Sequence, residues 1–265
     1  MDLIFVVEDP VSWHLQNIEQ NPHHYSWLAK RLNASAINWI QSSAAGIWFN
    51  IDVQLQDQRA KYGVTSLQNF TQDLQRWKTL YLAGRFHKPV QQLIPTESAF
   101  KHQHQLIEDS IRTNRLFAYS TALMMLPEQF EFKALLKAIV SISYLGDFRM
   151  KIAENPHKIS NIVDGQLEEL TQIYKPLLDS DHEKIQFQPQ KQSYIRSLES
   201  CKYALAPQLK EQLAFNDKPL TKENIENSIK QISSCSAFSQ SVKGLLTTSP
   251  MVSLKYSLRK ISKAF

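Results

Sequence analysis

Met1-Asp2-Leu3-Ile4-Phe5-Val6-Val7-Glu8-Asp9-Pro10 is the stretch on which the fold turns. Five consecutive apolar residues follow Asp2 and stop at an acidic pair and a proline. That pattern predicts a buried strand ended by Asp9-Pro10. Pro10 suits the first turn of a helix, with Ser12 adding capping potential. Leu15 and Ile18, then Tyr25 and Leu28, follow at helical spacing, interrupted at Asn21-Pro22. A strand feeding a helix so early opens a mixed α+β part. Residues 47–53 and 61–65 read as further short strands, and 80–83 as another, stopped by Gly84. Residues 66–78 read as a helix with Leu67, Phe70, Leu74 and Trp77 on one stripe.

From Glu97 onward the pattern is helical: 97–126, 127–144, 156–178, and two more helices within 191–215 and 221–234. Residues 179–190 are polar and read as a loop. The expected class is therefore α+β, with a mixed part over 1–96, a mostly helical part over 97–235 and a tail over 236–265.

The 265 residues carry 30 Lys and Arg against 25 Asp and Glu, a net charge of +5. No acid follows Glu226, whereas residues 231–265 hold five bases, Lys243, Lys255, Arg259, Lys260 and Lys263. The body is neutral and the excess belongs to the tail, which argues against a nucleic-acid-binding body. Met251, Leu254, Leu258, Ile261 and Phe265 recur at 3, 4, 3 and 4. Lys255, Arg259 and Lys263 fall on an adjoining face, with Lys260 beyond. This is the pattern of a basic amphipathic helix suited to an anionic membrane surface. A terminal helix docked on its own domain is the alternative.

Other classes are excluded. No apolar run approaches the roughly 18–20 residues of a membrane span. Cys201 and Cys235 form no CxxC pair, and His23-His24 and His102-Gln103-His104 lack the spacing of a helical zinc pair. Asp2, Glu8 and Asp9 interrupt any secretory leader. No GxSxG, Walker A or GxGxxG motif occurs.

Three groups of residues could carry chemistry. Asp2 stands at the head of a strand, where a carboxylate can hold a divalent cation or simply begin the strand; its i+2 neighbour on the same face is Ile4, not a second acid. Lys61, Arg85, Lys88, Arg149 and Lys158 sit close to glycines and suit phosphate oxygens, or a solvated surface. Gly146-Asp147-Phe148-Arg149-Met150 offers a second carboxylate and another phosphate-binding Arg, or a helix cap with a structural ion pair.

Together these segments resemble one family, the mitochondrial translocator assembly and maintenance proteins, which are the mitochondrial phosphatidate cytidylyltransferases. The resemblance is carried by Asp2 to Val7, by Trp13-His14 with Asn17, and by Asn21-Pro-His-His-Tyr-Ser26. It continues through Lys61-Tyr-Gly-Val64, Asp73-Leu74 with Trp77, and Leu80-Tyr-Leu-Ala-Gly-Arg-Phe-His-Lys-Pro-Val90. Leu126-Pro127, Ser143-Tyr-Leu-Gly-Asp-Phe-Arg-Met150, Glu154-Asn-Pro-His-Lys158, Asn161-Ile-Val163 and Ser241-Val-Lys-Gly-Leu-Leu246 complete it.

The resemblance implies a nucleotidyltransferase-fold domain and a helical, winged-helix-like domain. It implies synthesis of CDP-diacylglycerol and pyrophosphate from CTP and phosphatidic acid with Mg²⁺, on the matrix side of the mitochondrial inner membrane, for cardiolipin. Under it Asp2 holds Mg²⁺, and Lys61, Arg85, Lys88, Arg149 and Lys158 line the phosphates. Asp147 orients a cation, a ribose or a second metal. The family also carries a Gly-Ser turn upstream of the Asp strand, for which this sequence has no counterpart. The expectation is a member shortened at its N-terminus, without the first strand, the Gly-Ser turn or a presequence. The alternative is a non-catalytic, membrane-associated lipid-binding or assembly protein.

Overall fold

The computed structural model describes residues 1–55, 58–93, 100–146, 156–196, 204–215 and 219–247. The chain divides into two compact units, Met1–Thr71 with Cys235–Phe265, and Gln72–Ser234. Arg85 and Lys88 therefore belong to the second unit, although the sequence pattern groups them with the first.

In the first unit β1 (Asp2–Val7) leads into α1 (Pro10–Gln20). The cap is Asp9 rather than Ser12: its carboxylate accepts from the Val11 and Ser12 N–H groups at 2.9 and 3.2 Å, and Pro10 needs no partner in the first turn. After α2 (Ala34–Ser42), the hairpin β2 (Ile47–Leu55) and β3 (Gln58–Ser66) completes a sheet of order β1-β3-β2. β1 runs parallel to β3 and β2 antiparallel to it. Only β3 is central. β1 is an edge strand, half-buried along its length, with Phe5 39% exposed. This corrects the fully buried strand expected from its apolar run.

Register and alternation sort the side chains. Asp2, Ile4 and Val6 share one face with Lys61, Gly63 and Thr65. Leu3, Phe5 and Val7 share the other with Tyr62 and Val64, where Trp13 of α1 packs against Phe5 and Tyr62. α3 (Leu67–Arg76) follows β3.

The second unit contains α4 (Ala83–Phe86), α5 (Lys101–Met125), α6 (Phe132–Ile142), α7 (Lys158–Gly165), α8 (Leu167–Ser180) and α9 (Pro207–Phe215). It also holds a small antiparallel sheet, β4 (Gln129–Phe130), β5 (Ile185–Gln188) and β6 (Ser193–Arg196), in the order β4-β6-β5. β4 takes only the start of the helix expected over 127–144, which α6 otherwise fills; β5 lies in the stretch expected as a loop over 179–190, and β6 precedes α9, the helix expected within 191–215. Strands of two to four residues are too short for alternation to be read, and long-range contacts hold them. Phe130 and Phe187 flank Tyr194, with ring centroids 5.9 and 4.9 Å away. Arg196 donates to the carbonyls of Leu123 and Leu126 at the end of α5, where a cation is favoured.

The single helix expected over 156–178 breaks at Gln166, whose φ of −132° leaves the helical region. α10 (Lys222–Thr247) begins in the second unit and from Cys235 belongs to the first. There Lys243, one of the five late bases, does not face outward. It is 4% exposed and donates to the carbonyls of Gln41 and Ser43 at 3.0 and 3.3 Å, closing the C-terminus of α2. Lys255, Arg259, Lys260 and Lys263 lie outside the described residues.

Candidate functional site

In the second unit one buried carboxylate sets the turn that leads to Arg85 and Lys88. Asp73, in α3, is 2% exposed. Its Oδ1 accepts from the Thr79 N–H at 2.6 Å, the Thr79 hydroxyl at 2.9 Å and the Leu80 N–H at 3.0 Å. Its Oδ2 accepts from the N–H groups of Leu82 and Ala83 at 2.8 and 3.0 Å. Five donors converging on one carboxylate fold residues 79–83 into a tight turn, with Leu80 at φ 58°. Backbone N–H groups consumed in this way cannot join a ladder. This is why residues 80–83 are not the expected strand, and why α4 starts where it does.

α4 is then locked from behind. The Trp77 indole N–H donates to Asn114 Oδ1 at 2.7 Å, and Asn114 Nδ2 donates to the Ala83 carbonyl at 2.9 Å. With its amide so oriented, Asn114 Oδ1 also accepts from His87 Nε2 at 3.2 Å, which puts the imidazole proton on Nε2. His87 is fully buried, and burial together with the Lys88 charge lowers it to about 3, so the ring is neutral. Gly84 permits the close approach to the end of α6: a Cβ there would stand 2.5 Å from Ser143 Cβ.

On this frame Arg85, Lys88 and Lys158 come together. Lys88 Nζ donates to the Gly84 carbonyl at 2.7 Å and reaches Ser143 Oγ at 3.4 Å. Lys88 and Lys158 both stand over the Tyr144 ring, at 5.3 and 4.9 Å. The Arg85 guanidinium lies 4.2 Å from the Tyr81 ring centroid and donates to the Tyr81 carbonyl at 2.5 Å. Among the described residues no carboxylate is paired with Lys88. Burial, then the charges of Arg85 and Lys158, lowers its ammonium to about 7. Cations brought together in this way suit the oxygens of a multiply charged anion. The aromatic platforms and the Asp73 hub were not legible in advance. In the sequence Asp73 stands out only through the family resemblance, whereas Trp77 also lies on the apolar stripe of residues 66–78.

In the first unit, Asp2 and Lys61 are register partners on the same sheet face. Asp2 is exposed, and Lys61 Nζ lies 4.2 Å from the Phe49 ring centroid. Behind them runs a directed hydrogen-bond network. Gln41 Nε2 donates to the carbonyls of Gly46 and Val64, so its Oε1 accepts from His14 Nε2 at 3.1 Å, and His14 Nδ1 accepts from Tyr25 at 2.8 Å. Tyr62, next to Lys61, accepts from Asn17 and Asn50 at 2.8 Å each, leaving its own proton for His24 Nδ1 at 2.9 Å. Burial lowers His14 to about 4. These polar residues hold α1, α2 and β3 in place.

Asp147 and Arg149 lie outside the described residues. Among the described residues no group of three or more His, Cys, Asp or Glu is gathered for a metal ion.

A family model described as "Phosphatidate cytidylyltransferase, mitochondrial" matches residues 1–207 and 199–263. Curated proteins of that name are similar. That of Danio rerio is 32% identical over 288 residues, spanning 99% of this chain and 82% of its own length. That of Schizosaccharomyces pombe is 41% identical over 180 residues, 67% of this chain and 44% of its own. That of Caenorhabditis elegans is 38% identical over 182 residues, 68% of this chain and 54% of its own.

Proposed function

This chain belongs to the mitochondrial phosphatidate cytidylyltransferase family, and we propose that it joins CTP to phosphatidic acid, giving CDP-diacylglycerol and pyrophosphate. The observation that carries the reading is the family match along nearly the whole chain. The cluster of Arg85, Lys88 and Lys158 supports it, because the reaction brings phosphate groups of like charge together.

A phosphate oxygen of phosphatidic acid attacks the α-phosphorus of CTP. The new O–P bond forms as the bond from the α-phosphorus to the bridging oxygen breaks, and pyrophosphate leaves with that electron pair. Such chemistry asks the protein for positioning and charge neutralisation. Under this reading Lys61, Arg85, Lys88, Arg149 and Lys158 take phosphate oxygens, and Asp147 orients a cation or the ribose. Asp73 is a positioning residue, holding the turn that presents Arg85 and Lys88.

Mg²⁺ commonly uses one or two carboxylates, completed by water and substrate phosphate. Asp2, an exposed carboxylate at the start of β1, fits that donor set. When bound there, the ion would neutralise charge on the phosphates.

We read the first unit as a nucleotidyltransferase core and the second as winged-helix-like, its short antiparallel sheet standing for the wing. The proposed location is the matrix side of the mitochondrial inner membrane, where the product would feed cardiolipin synthesis. Among the described residues no helix is long and apolar enough to cross a membrane. Peripheral attachment is proposed through the basic tail, with Lys255, Arg259, Lys260 and Lys263 on anionic lipid.

The test is formation of labelled CDP-diacylglycerol from CTP and phosphatidic acid in detergent, dependent on a divalent cation. Product with wild type and its loss in Asp2→Ala and Lys88→Met support the reading; no product at all from the folded protein overturns it. Removal of residues 250–265 is expected to weaken binding to anionic vesicles and to leave CTP binding intact.

A further inference from the structure

Residues 20–51 contain no Asp or Glu, and they include Lys30 and Arg31. Three of the chain's five tryptophans lie in this stretch, and two of them, Trp27 and Trp39, are 65% and 67% exposed. Trp48 and Trp77, by contrast, are fully buried. Leu28, beside Trp27, is 47% exposed. An indole has a large apolar body and a single N–H, so water is a poor solvent for it. The headgroup region of a bilayer satisfies both parts.

The exposure is built in. Tyr25 and Ala29, on either side, are anchored in the core with Ile37, Ile40 and Trp48. Tyr25 is further held by His14 and Asn17, and the Ala29 N–H donates to Ser26 Oγ at 3.1 Å. Between these two inward anchors Trp27 and Leu28 turn outward as a tip. The Arg31 guanidinium stands 4.0 Å from the centroid of the Trp27 ring, and Lys30 is exposed next to it. Two cations beside two outward apolar side chains, with no acid in the surrounding stretch, complement lipid phosphates above an acyl boundary.

We propose that the tip formed by Trp27 and Leu28, with Lys30 and Arg31, docks on the surface of an anionic phospholipid bilayer. It is a contact separate from the C-terminal tail. The inference rests on the reading that the substrate is a membrane phospholipid, and it would hold the first unit against the surface that contains this substrate.

The full chain is tested by co-sedimentation with phosphatidylcholine vesicles with and without phosphatidylglycerol, an anionic lipid that is not the substrate. Quenching of tryptophan fluorescence by brominated lipid is read on the same samples. The wild type is expected to bind the anionic vesicles and to show a quenched component that Trp27→Phe removes. Trp27→Ser with Leu28→Ser, and Lys30→Gln with Arg31→Gln, are each expected to lower partitioning by roughly tenfold. Both pairs are expected to keep wild-type turnover on phosphatidic acid in detergent.

Unchanged partitioning in both pairs overturns the proposal. So does quenching that survives Trp27→Phe in full, or a change of oligomeric state without a change in vesicle binding, which would assign the tip to a second copy. If the wild type makes no CDP-diacylglycerol in detergent, the enzymatic reading fails, while vesicle binding and quenching still decide the tip.

Discussion

Replacing Lys88 by Met should make the protein more stable and less active. The ammonium is largely enclosed, and the charges of Arg85 and Lys158 bear on it. Its lowering from 10.5 to about 7 corresponds to a folding cost on the order of 4 kcal/mol at pH 7, at about 1.4 kcal/mol per tenfold. That is an upper bound, since the side chain is partly exposed and water relieves some of it. Met keeps the length and the contact with Tyr144. It gives up the hydrogen bonds to Gly84 and Ser143, at about 1 kcal/mol each. The net gain is about 1–3 kcal/mol, or roughly 3–10 °C in Tm for a chain of this size.

The sign with pH can be checked. Between about 7 and 10.5 the unfolded chain holds a proton at this residue that the folded chain has lost. Wild-type stability from this group therefore rises with pH across that window, and the advantage of Lys88→Met shrinks. Thermal unfolding at pH 7 and pH 9.5 reads both effects. In parallel, losing one charge-assisted contact to phosphate should reduce CTP turnover roughly 10- to 100-fold. A lower Tm at pH 7, an advantage that grows with pH, or wild-type turnover would each refute the reasoning.

Three further outcomes follow from the same geometry. Asp73→Asn keeps the shape but turns one acceptor oxygen into a donor facing backbone N–H groups; a loss of about 2–4 kcal/mol is expected in thermal unfolding, with a raised KM for CTP. Gly84→Ala should cost about 1–3 kcal/mol because its Cβ would meet Ser143, and adding Ser143→Gly should restore most of the lost Tm; no recovery would disprove the close-packing account. His14 and His87 are lowered from 6.5 to about 4 and about 3. Below pH 6.5 the unfolded chain binds protons that the folded one refuses, so Tm should fall as pH drops. The share from His14 is about 3 kcal/mol by pH 4, and a Tm profile that stays flat between pH 6.5 and 4 would refute it.

Much of the fold was legible in short-range pattern. β1, β2 and β3 appear where runs of apolar and β-branched residues ended at turn residues, and α3 where its apolar stripe predicted it. The cations of the second unit were legible as types, because Arg and Lys beside scarce glycines stand out. Their grouping was not. Arg85 and Lys88 are far in sequence from Lys158, and the turn that presents the first two is set by Asp73, up to ten residues upstream of the N–H groups it binds. Lys243 shows the same limit from the other side: read as part of an outward basic tail, it closes α2 about 200 residues away.

By itself, then, the sequence determined the α+β class, the strands of the first sheet, the family resemblance and the chemical types at the site. Each is written in local periodicity or in an ordered series of motifs. Tertiary structure alone decided the second sheet, the edge position of β1, the protonation of Lys88 and the burial of Lys243. Those depend on which distant groups share a low-dielectric interior. Burial and long-range hydrogen bonds set such properties, and neither leaves a periodic trace along the chain.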